Sequence, residues 1–236
     1  MIVALSFQEC YYHMVSSATS SRSDDGKDRQ ARTRLARRAV VTAARTLFLE
    51  RGYPATTIEA ISDLSDVPPA TVYRLFSSKL GILKALLDVS IGGDDDAVAV
   101  LDRPRTRAAL ADTDAKTKLS GFVHTAVAVN LRTLPIYRIL VSAAGSDPDA
   151  SALLADLTRQ RDEGQGAVAR SLARAGALRP GLGARDAADI VHALMAPELY
   201  QLLVSDRGWS PERYEQWLTE TLVGQLLPPR PKPRSR

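Results

Sequence analysis

The chain has 236 residues, 45% of them hydrophobic and 25% charged, which is the balance of a globular protein rather than of a disordered or membrane-spanning one. Its 31 lysines and arginines and 27 acids give a formal net charge of +4. This excess is too small to indicate a nucleic-acid partner by itself, so the placement of the charge must decide. Cys10 is the single cysteine, which excludes an internal disulfide and a cysteine-based zinc site.

The N-terminal segment lacks the charged start and the long apolar run of a signal peptide, and no later stretch has the length of a membrane span. We therefore expect a cytoplasmic protein with no membrane partner. Residues 1–31 contain a polar, serine-rich run without periodicity and are predicted to be a disordered arm. Basic residues outnumber acids between Arg22 and Arg38, so this stretch is either a solvated tail or a contact to phosphates.

Residues 32–92 are predicted to form a domain of short helices. The first helix, over 34–51, has one apolar face, and Gly52 follows it where a left-handed cap favours glycine. That face consists of Ala36, Val40, Ala43, Ala44, Leu47 and Phe48. Thr56 and Glu59 have the spacing of a capping box, which predicts that the second helix opens at Thr56 and covers 57–64.

Residues 65–68 are predicted to be a turn, after which Pro69 begins a third helix that ends near Phe76. A fourth helix is predicted to begin at Lys79. A short helix that follows a second helix across a tight turn is typical of a helix-turn-helix, so we predict a DNA-binding core over 57–76.

The third helix has a polar face suited to the major groove of double-stranded DNA. Arg74 can donate hydrogen bonds to guanine, and the Thr71 methyl group can contact thymine. Small residues at the start of the helix allow close approach of its backbone, while Tyr73 and Lys79 are expected to contact phosphates. The opening amides of the second helix form an anion site. The residues predicted to contact DNA are Thr57, Pro69, Ala70, Thr71, Tyr73, Arg74 and Lys79.

Two simpler interpretations apply to this face. Tyr73 could pack inward between Val72 and Phe76, and Arg74 could be an ordinary exposed arginine. The local charge favours the DNA-binding interpretation, because the stretch from Val67 to Lys84 contains three basic residues and no acid.

Residues 93–227 are predicted to be a larger helical domain, followed by a basic, proline-rich tail over 228–236. Helices are expected over 117–145, where Pro135 kinks or divides the helix, and over 148–176, 185–205 and 211–227. Ser210 is expected to cap the last helix, ahead of Pro211. No stretch has the alternation of a strand, so the predicted fold is all-α.

Polar side chains within these apolar helices are candidates for a ligand pocket. They are His124, Asn130, Tyr137 and His192. For the two histidines, a hydrogen-bonded position in the core is the simpler interpretation. No catalytic motif, metal-ligand cluster or phosphate-binding glycine loop occurs, so we expect no enzyme activity, no cofactor and no metal.

The residues that carry the helix-turn-helix also resemble a known family. The pattern is Val40-Val41-x-Ala43-Ala44-x-x-Leu47-Phe48-x-x-x-Gly52-Tyr53, then Thr56-Thr57-Ile58-x-x-Ile61, then Val67-x-x-Ala70-Thr71-Val72-Tyr73-x-x-Phe76-x-x-Lys79. It resembles the DNA-binding domain of TetR-family regulators nearly position by position, over about fifty residues. Asp66, Pro68 and Ala70 depart from the family pattern, in which glycine, serine and glycine are usual.

The resemblance implies a homodimer paired through its last two helices, with a small-molecule effector bound in the C-terminal domain. It further implies a repressor that binds a near-palindromic operator and is released by that effector. Two alternatives remain open. The chain could be a helical small-molecule-binding protein with a weakened DNA-binding head, or an all-helical enzyme built on the same scaffold.

Overall fold

The computed structural model describes residues 7–92, 107–108 and 111–229, with side chains from Lys27 onward. This part of the chain is all-α, as predicted, and contains no strand. Its helices, numbered in chain order, are α1 (Phe7–Ala55), α2 (Ile58–Ser65), α3 (Pro69–Phe76), α4 (Lys79–Gly92), α5 (Ala115–Ala144), α6 (Pro148–Arg174), α7 (Ala184–Leu194), α8 (Pro197–Tyr200, continued by the π-helical segment Gln201–Asp206) and α9 (Pro211–Leu226). The start of the predicted arm, residues 93–106 and most of the predicted tail lie outside the described residues.

A first hydrophobic core holds α1 to α4 together. The apolar face predicted for α1 is confirmed, because Val40, Ala44, Leu47 and Phe48 are all buried. The side chains that meet it from the following helices are Ile58, Ile61, Val72, Phe76, Ile82, Leu83, Leu86 and Leu87. We call residues 34–92 the head, because they share this core and place α2 and α3 at its surface.

A second core lies between α5, α6, α7 and α9. It contains Leu119, Phe122, Val123, Val168, Leu172, Val191, Tyr214, Leu218 and Leu222. We call α5 to α9 the body. The predicted cap of α9 is confirmed, since Ser210 Oγ accepts the Arg213 amide hydrogen at 3.2 Å.

Helix α5 belongs to both cores. Its N-terminal half packs in the body through Leu119 and Val123, whereas Ile136 and Leu140 near its C-terminal end pack in the head. Pro135 lies between these halves without dividing the helix. One continuous helix therefore connects the core of the body to the core of the head.

The N-terminal segment differs from its sequence-based prediction. Residues 1–31 were expected to be disordered, but α1 begins at Phe7 and continues without a break to Gly52. Extending a helix that has already formed avoids the unfavourable nucleation step, so a polar segment can continue a helix that it would not start alone. An exposed ion pair between Asp28 and Arg32, one turn apart, adds local support.

The helix predicted over 185–205 is also corrected. It is broken at Met195 and Ala196, and a new helix begins with Pro197 at its first position. The residue before a proline is pushed out of the α conformation, and Ala196 is accordingly extended, with ψ 135°. This break brings Met195 and Pro197 to the wall of the cavity described below.

Candidate functional site

The turn between α2 and α3 is held by its own side chains. Asp66 closes α2 in the left-handed conformation with φ 55°, which aspartate tolerates better than most residues. Ser62 Oγ donates a 2.6 Å hydrogen bond to the carbonyl of Val67, whose side chain is buried. The turn therefore fixes how α3 leaves α2.

The start of α2 corrects the predicted capping box. Thr57, not Thr56, is the cap, and its hydroxyl accepts the amide hydrogen of Ala60 at 3.1 Å. Thr56 is fully buried and its hydroxyl donates to the carbonyl of Gly52 at 2.8 Å. Gly52 itself has φ 76° and ψ 170°, so the need for a glycine with positive φ is confirmed, whereas the ψ value differs from that of the predicted left-handed cap.

Helix α3 has one buried face and one exposed face. Val72 and Phe76 pack into the head, whereas Pro69, Ala70 and Arg74 are exposed. Tyr73 is 49% exposed, so the interpretation of this residue as core is wrong. We call the exposed Pro69, Ala70, Tyr73 and Arg74, together with the partly exposed Thr71, the α3 surface. Pro68 precedes it and provides no side-chain cap for the helix.

Lys79 has a structural role that its predicted phosphate contact did not include. Its ammonium group donates to the carbonyls of Tyr53 and Thr56 at 2.7 and 2.8 Å. It also lies 4.3 Å from the centre of the Tyr53 ring. Partial burial lowers the pKa of Lys79, and the negative charge of Asp147, at the N-cap of α6, opposes that shift. Two of its three donors thus tie the start of α4 to the end of α1.

A cavity of about 1470 Å³ lies where the head meets the body. Its walls come from α1, α4, α5 and α6, together with the break between α7 and α8. Asn130 and Tyr137, two of the four predicted pocket residues, line it. The Tyr137 hydroxyl donates to Glu198 Oε1 at 3.0 Å, and burial together with this bond raises the pKa of Tyr137.

The two histidines predicted for the pocket are not part of its wall. His124 is exposed at the surface, where its Nδ1 lies 3.0 Å from Glu215 Oε1. His192 is partly buried, with Nδ1 3.0 Å from Gln165 Oε1 and 3.6 Å from Asp162 Oδ1. His192 is linked to the cavity only indirectly, through its contact with Gln165, which lines the wall.

Sequence reasoning missed the polar residues of α6 that line the cavity, among them Arg161 and Gln165. They lie four residues apart, on the same side of α6 as Leu157, and Gln165 is buried. The available signal was the helical spacing, because a polar residue in register with an apolar face is directed inward. Among the described residues, no group of three or more potential ligands suited to a metal ion occurs.

The head matches a known family. Residues 40–86 match the profile "Bacterial regulatory proteins, tetR family". The likeness to the tetR family is therefore carried by the head. Over 48 residues it is 40% identical to "Uncharacterized HTH-type transcriptional regulator YvkB" of Bacillus subtilis (strain 168). That match covers 20% of this chain and 25% of the relative, so the chain spans about a quarter of its length.

The similarity to solved structures with the tetR-family fold includes the body as well as the head. The SmeT–triclosan complex has a TM-score of 0.66 at 17% identity, covering 85% of this chain and 99% of that one. The fatty acid degradation regulator FadR from Bacillus halodurans has 0.65 at 16%, covering 85% and 97%. A putative transcriptional regulator from Saccharomonospora viridis in complex with choline has 0.63 at 21%, covering 82% and 98%. These likenesses establish the fold of head and body.

Hydropathy completes the description of the helices. Within the described ranges, none of them combines the length and the apolar character that crossing a membrane requires.

Proposed function

We propose that this protein is a tetR-family transcriptional repressor that binds a near-palindromic DNA operator as a homodimer and is released by a small-molecule effector. The observation that carries the proposal is the α3 surface, an exposed polar face that a compact core holds in place. No acidic residue occurs from Val67 to Lys84, so the potential beside α3 favours phosphates.

Each residue of the α3 surface has a separate task in the proposed complex. Arg74 donates to guanine, and the methyl group of Thr71 contacts thymine. Pro69 and Ala70 are small enough for the helix to approach the base edges. Tyr73 contacts phosphate, as does the first turn of α2 beside Thr57. Lys79 contributes mainly by fixing the α1–α4 geometry, with one donor left for a phosphate.

The proposed homodimer pairs through the last two helical segments, α8 with its π-helical continuation and α9. Leu202 is 50% exposed there, and Leu199, Leu203, Trp209 and Trp217 are only partly buried by the described chain. An isologous interface covers such a surface once in each subunit. Two heads related by a twofold axis contact half-sites one helical turn, about 34–36 Å, apart, which predicts operator symmetry.

Effector release is proposed to act through the cavity. Residues of α1 and α4 line it together with residues of α5 and α6, so an occupant contacts head and body at once. A bound effector that favours a different placement of the head changes the spacing of the two α3 surfaces. A strong switch requires a preference of about 5 kcal/mol between the two states.

Selection from a pool of genomic fragments tests the proposal. The protein is mixed with the fragments at two salt concentrations, and the retained DNA is sequenced. We expect a near-palindromic site that is retained at the higher salt, bound by two chains per site. Retention of all fragments equally, with loss at the higher salt, would contradict sequence-specific binding.

One observation favours the second candidate, a small-molecule-binding protein with a weakened head. Asp66 places an exposed negative charge at the turn before α3, and Pro68 leaves α3 without a side-chain cap. If no fragment is preferred and the protein still binds small molecules in its cavity, this candidate replaces the repressor.

A further inference from the structure

The charges around the cavity are strongly unequal. Among the described residues, the charged side chains that line it are Arg34, Arg37, Arg38, Arg161, Arg170, Asp88 and Glu163. Five are cations and two are anions, but all except Arg161 are exposed, so solvent screens every one of these charges more strongly than that of Arg161.

Both acids on the cavity wall already have cationic partners that are not part of the wall. Asp88 accepts a 2.9 Å hydrogen bond from Lys84 Nζ, one turn earlier on α4. Glu163 accepts a 2.8 Å hydrogen bond from Arg159, one turn earlier on α6. These pairs reduce the capacity of the two carboxylates to balance the arginines across the cavity. Arg37 also has contacts of its own, with the Leu75 carbonyl and the Phe76 ring, so the preference for an anion depends on Arg161 rather than on the number of charges.

Arg161 is the wall arginine best suited to bind an anion. Its Nε atom is buried and has no hydrogen-bond acceptor. A desolvated cationic donor without an acceptor is unfavourable, and an anion brought to it restores both the charge balance and the hydrogen bond. Tyr137 lies beside it and contacts the Arg161 side chain, while the Tyr137 hydroxyl donates its proton to Glu198, so Nε is the part of Arg161 left for a ligand.

The remainder of the cavity wall is largely apolar. Side chains of α1, α4, α5 and α6 contribute to it: Val41, Leu87, Phe122, Ala126, Val129, Leu157 and Ala167. Met195 and Pro197 extend this surface at the break between α7 and α8. An occupant that buries apolar surface against this wall and carries one negative group satisfies both parts of the cavity.

We propose that the effector is an organic monoanion, a carboxylate joined to an apolar body, and that Arg161 binds its carboxylate. The inference rests on the proposed function, in which this cavity is the effector site. A neutral ligand of the same shape can offer Arg161 Nε an acceptor but does not balance its charge, so the hydrogen bond is weaker. A cationic ligand is repelled by the arginines of the wall.

Isothermal titration of the full-length protein with three matched probes tests the class of ligand. The probes are decanoate, decanol and decyltrimethylammonium, which share a ten-carbon chain and differ in charge. We expect decanoate to bind at least about tenfold more tightly than decanol, because a charge-assisted hydrogen bond is gained. Decyltrimethylammonium is expected to bind most weakly.

Variants assign the preference to Arg161. Arg161→Gln is expected to weaken decanoate binding about ten- to hundredfold while leaving decanol binding unchanged. Arg161→Lys keeps the charge and is expected to retain most of the preference for decanoate. Arg174→Gln is the matched control, because Arg174 lies on the same helix, is exposed and does not line the cavity. The melting temperature without ligand checks the fold of each variant.

Three results overturn the inference: no binding of decanoate, equal binding of decanoate and decanol, or unchanged decanoate binding in a folded Arg161→Gln variant. If Arg161→Gln does not fold, the probe comparison in the unmodified protein and the Arg161→Lys variant still decide. Operator binding without any probe is measured separately. Failure there overturns the repressor proposal, whereas failure of the probe series with an intact operator complex overturns only the class of effector.

Discussion

The functional side chains of the head face solvent, whereas those of the body line a cavity. The head packs α1 to α4 around a closed core and presents the α3 surface outward, where Tyr73 is 49% exposed. The body uses longer helices and, with the head, forms an open cavity of about 1470 Å³ whose wall includes the buried Gln165 and the partly buried Tyr137 and Arg161. Side chains of the α3 surface can therefore change with little effect on stability, whereas groups such as Arg161 are coupled to packing.

The largest expected effect is the loss of stability when a buried side chain of the head is removed. Phe48 is 1% exposed in the first core, so Phe48→Ala should lower the free energy of unfolding by about 3–5 kcal/mol. Tyr73→Ala removes an aromatic ring of similar size from the α3 surface and should change it by less than about 0.5 kcal/mol. Urea denaturation of both variants measures the difference. Similar losses would show that Tyr73 is part of the core.

A second prediction concerns the link between α1 and α4. Lys79→Met keeps the aliphatic stem but leaves the carbonyls of Tyr53 and Thr56 without their donor. Because charge-assisted hydrogen bonds are lost, we expect a decrease of about 1.5–3 kcal/mol in the free energy of unfolding. Lys84→Met, which breaks an exposed pair with Asp88, serves as control and should change it by less than about 1 kcal/mol. Equal losses in the two variants would show that Lys79 contributes no more to stability than an exposed lysine.

A third prediction tests which side chains cap the start of α2. Thr57→Ala removes the cap on the Ala60 amide and should destabilise the head by about 1 kcal/mol. Glu59→Ala should have an effect below about 0.5 kcal/mol, because Glu59 is exposed and is not part of a capping box. Denaturation curves distinguish the two variants. A larger loss for Glu59→Ala would restore the capping box that the sequence suggested.

The smallest expected effect sharpens the account of the turn. Asp66→Asn keeps a residue that tolerates φ 55° but removes the negative charge beside the α3 surface. Stability should change by only a few tenths of a kcal/mol, while DNA affinity at low salt should increase several-fold. Fluorescence anisotropy at low and high salt measures this gain, which should shrink as salt screens the charge. An unchanged affinity at low salt would place Asp66 away from the DNA.

The same contrast explains which parts of the molecule the sequence predicts. In the head, contacts are local, so the spacing from Val40 to Phe48 and the start of α3 at Pro69 indicate the helices correctly. Two adjacent threonines share the composition of a cap, and only the backbone geometry shows that Thr57 has this role.

In the body, contacts join residues far apart in the chain, and spacing along one helix does not reveal them. Asn130 and Tyr137 were predicted to line a pocket because they interrupt an apolar helix, and they do line one. His124 has the same local pattern but lies near Glu215, ninety-one residues later, at the surface. Arg161 was missed because an arginine in a charged helix is usually exposed. Its register with Leu157 was the one signal of an inward position, and the packing of α6 against α5 makes that position visible.

The measurement closest to the central claim is the ratio of specific to non-specific DNA affinity for the unmodified protein, for Arg74→Ala and for Arg174→Ala. Arg74 lies on the α3 surface, whereas Arg174 is an exposed arginine at the end of α6. If α3 contacts bases, Arg74→Ala lowers the affinity for the selected site by about 1–3 kcal/mol, lowers non-specific affinity much less, and Arg174→Ala changes neither. An unchanged ratio in Arg74→Ala would contradict the account, because specificity would then not come from Arg74 on the exposed face of α3.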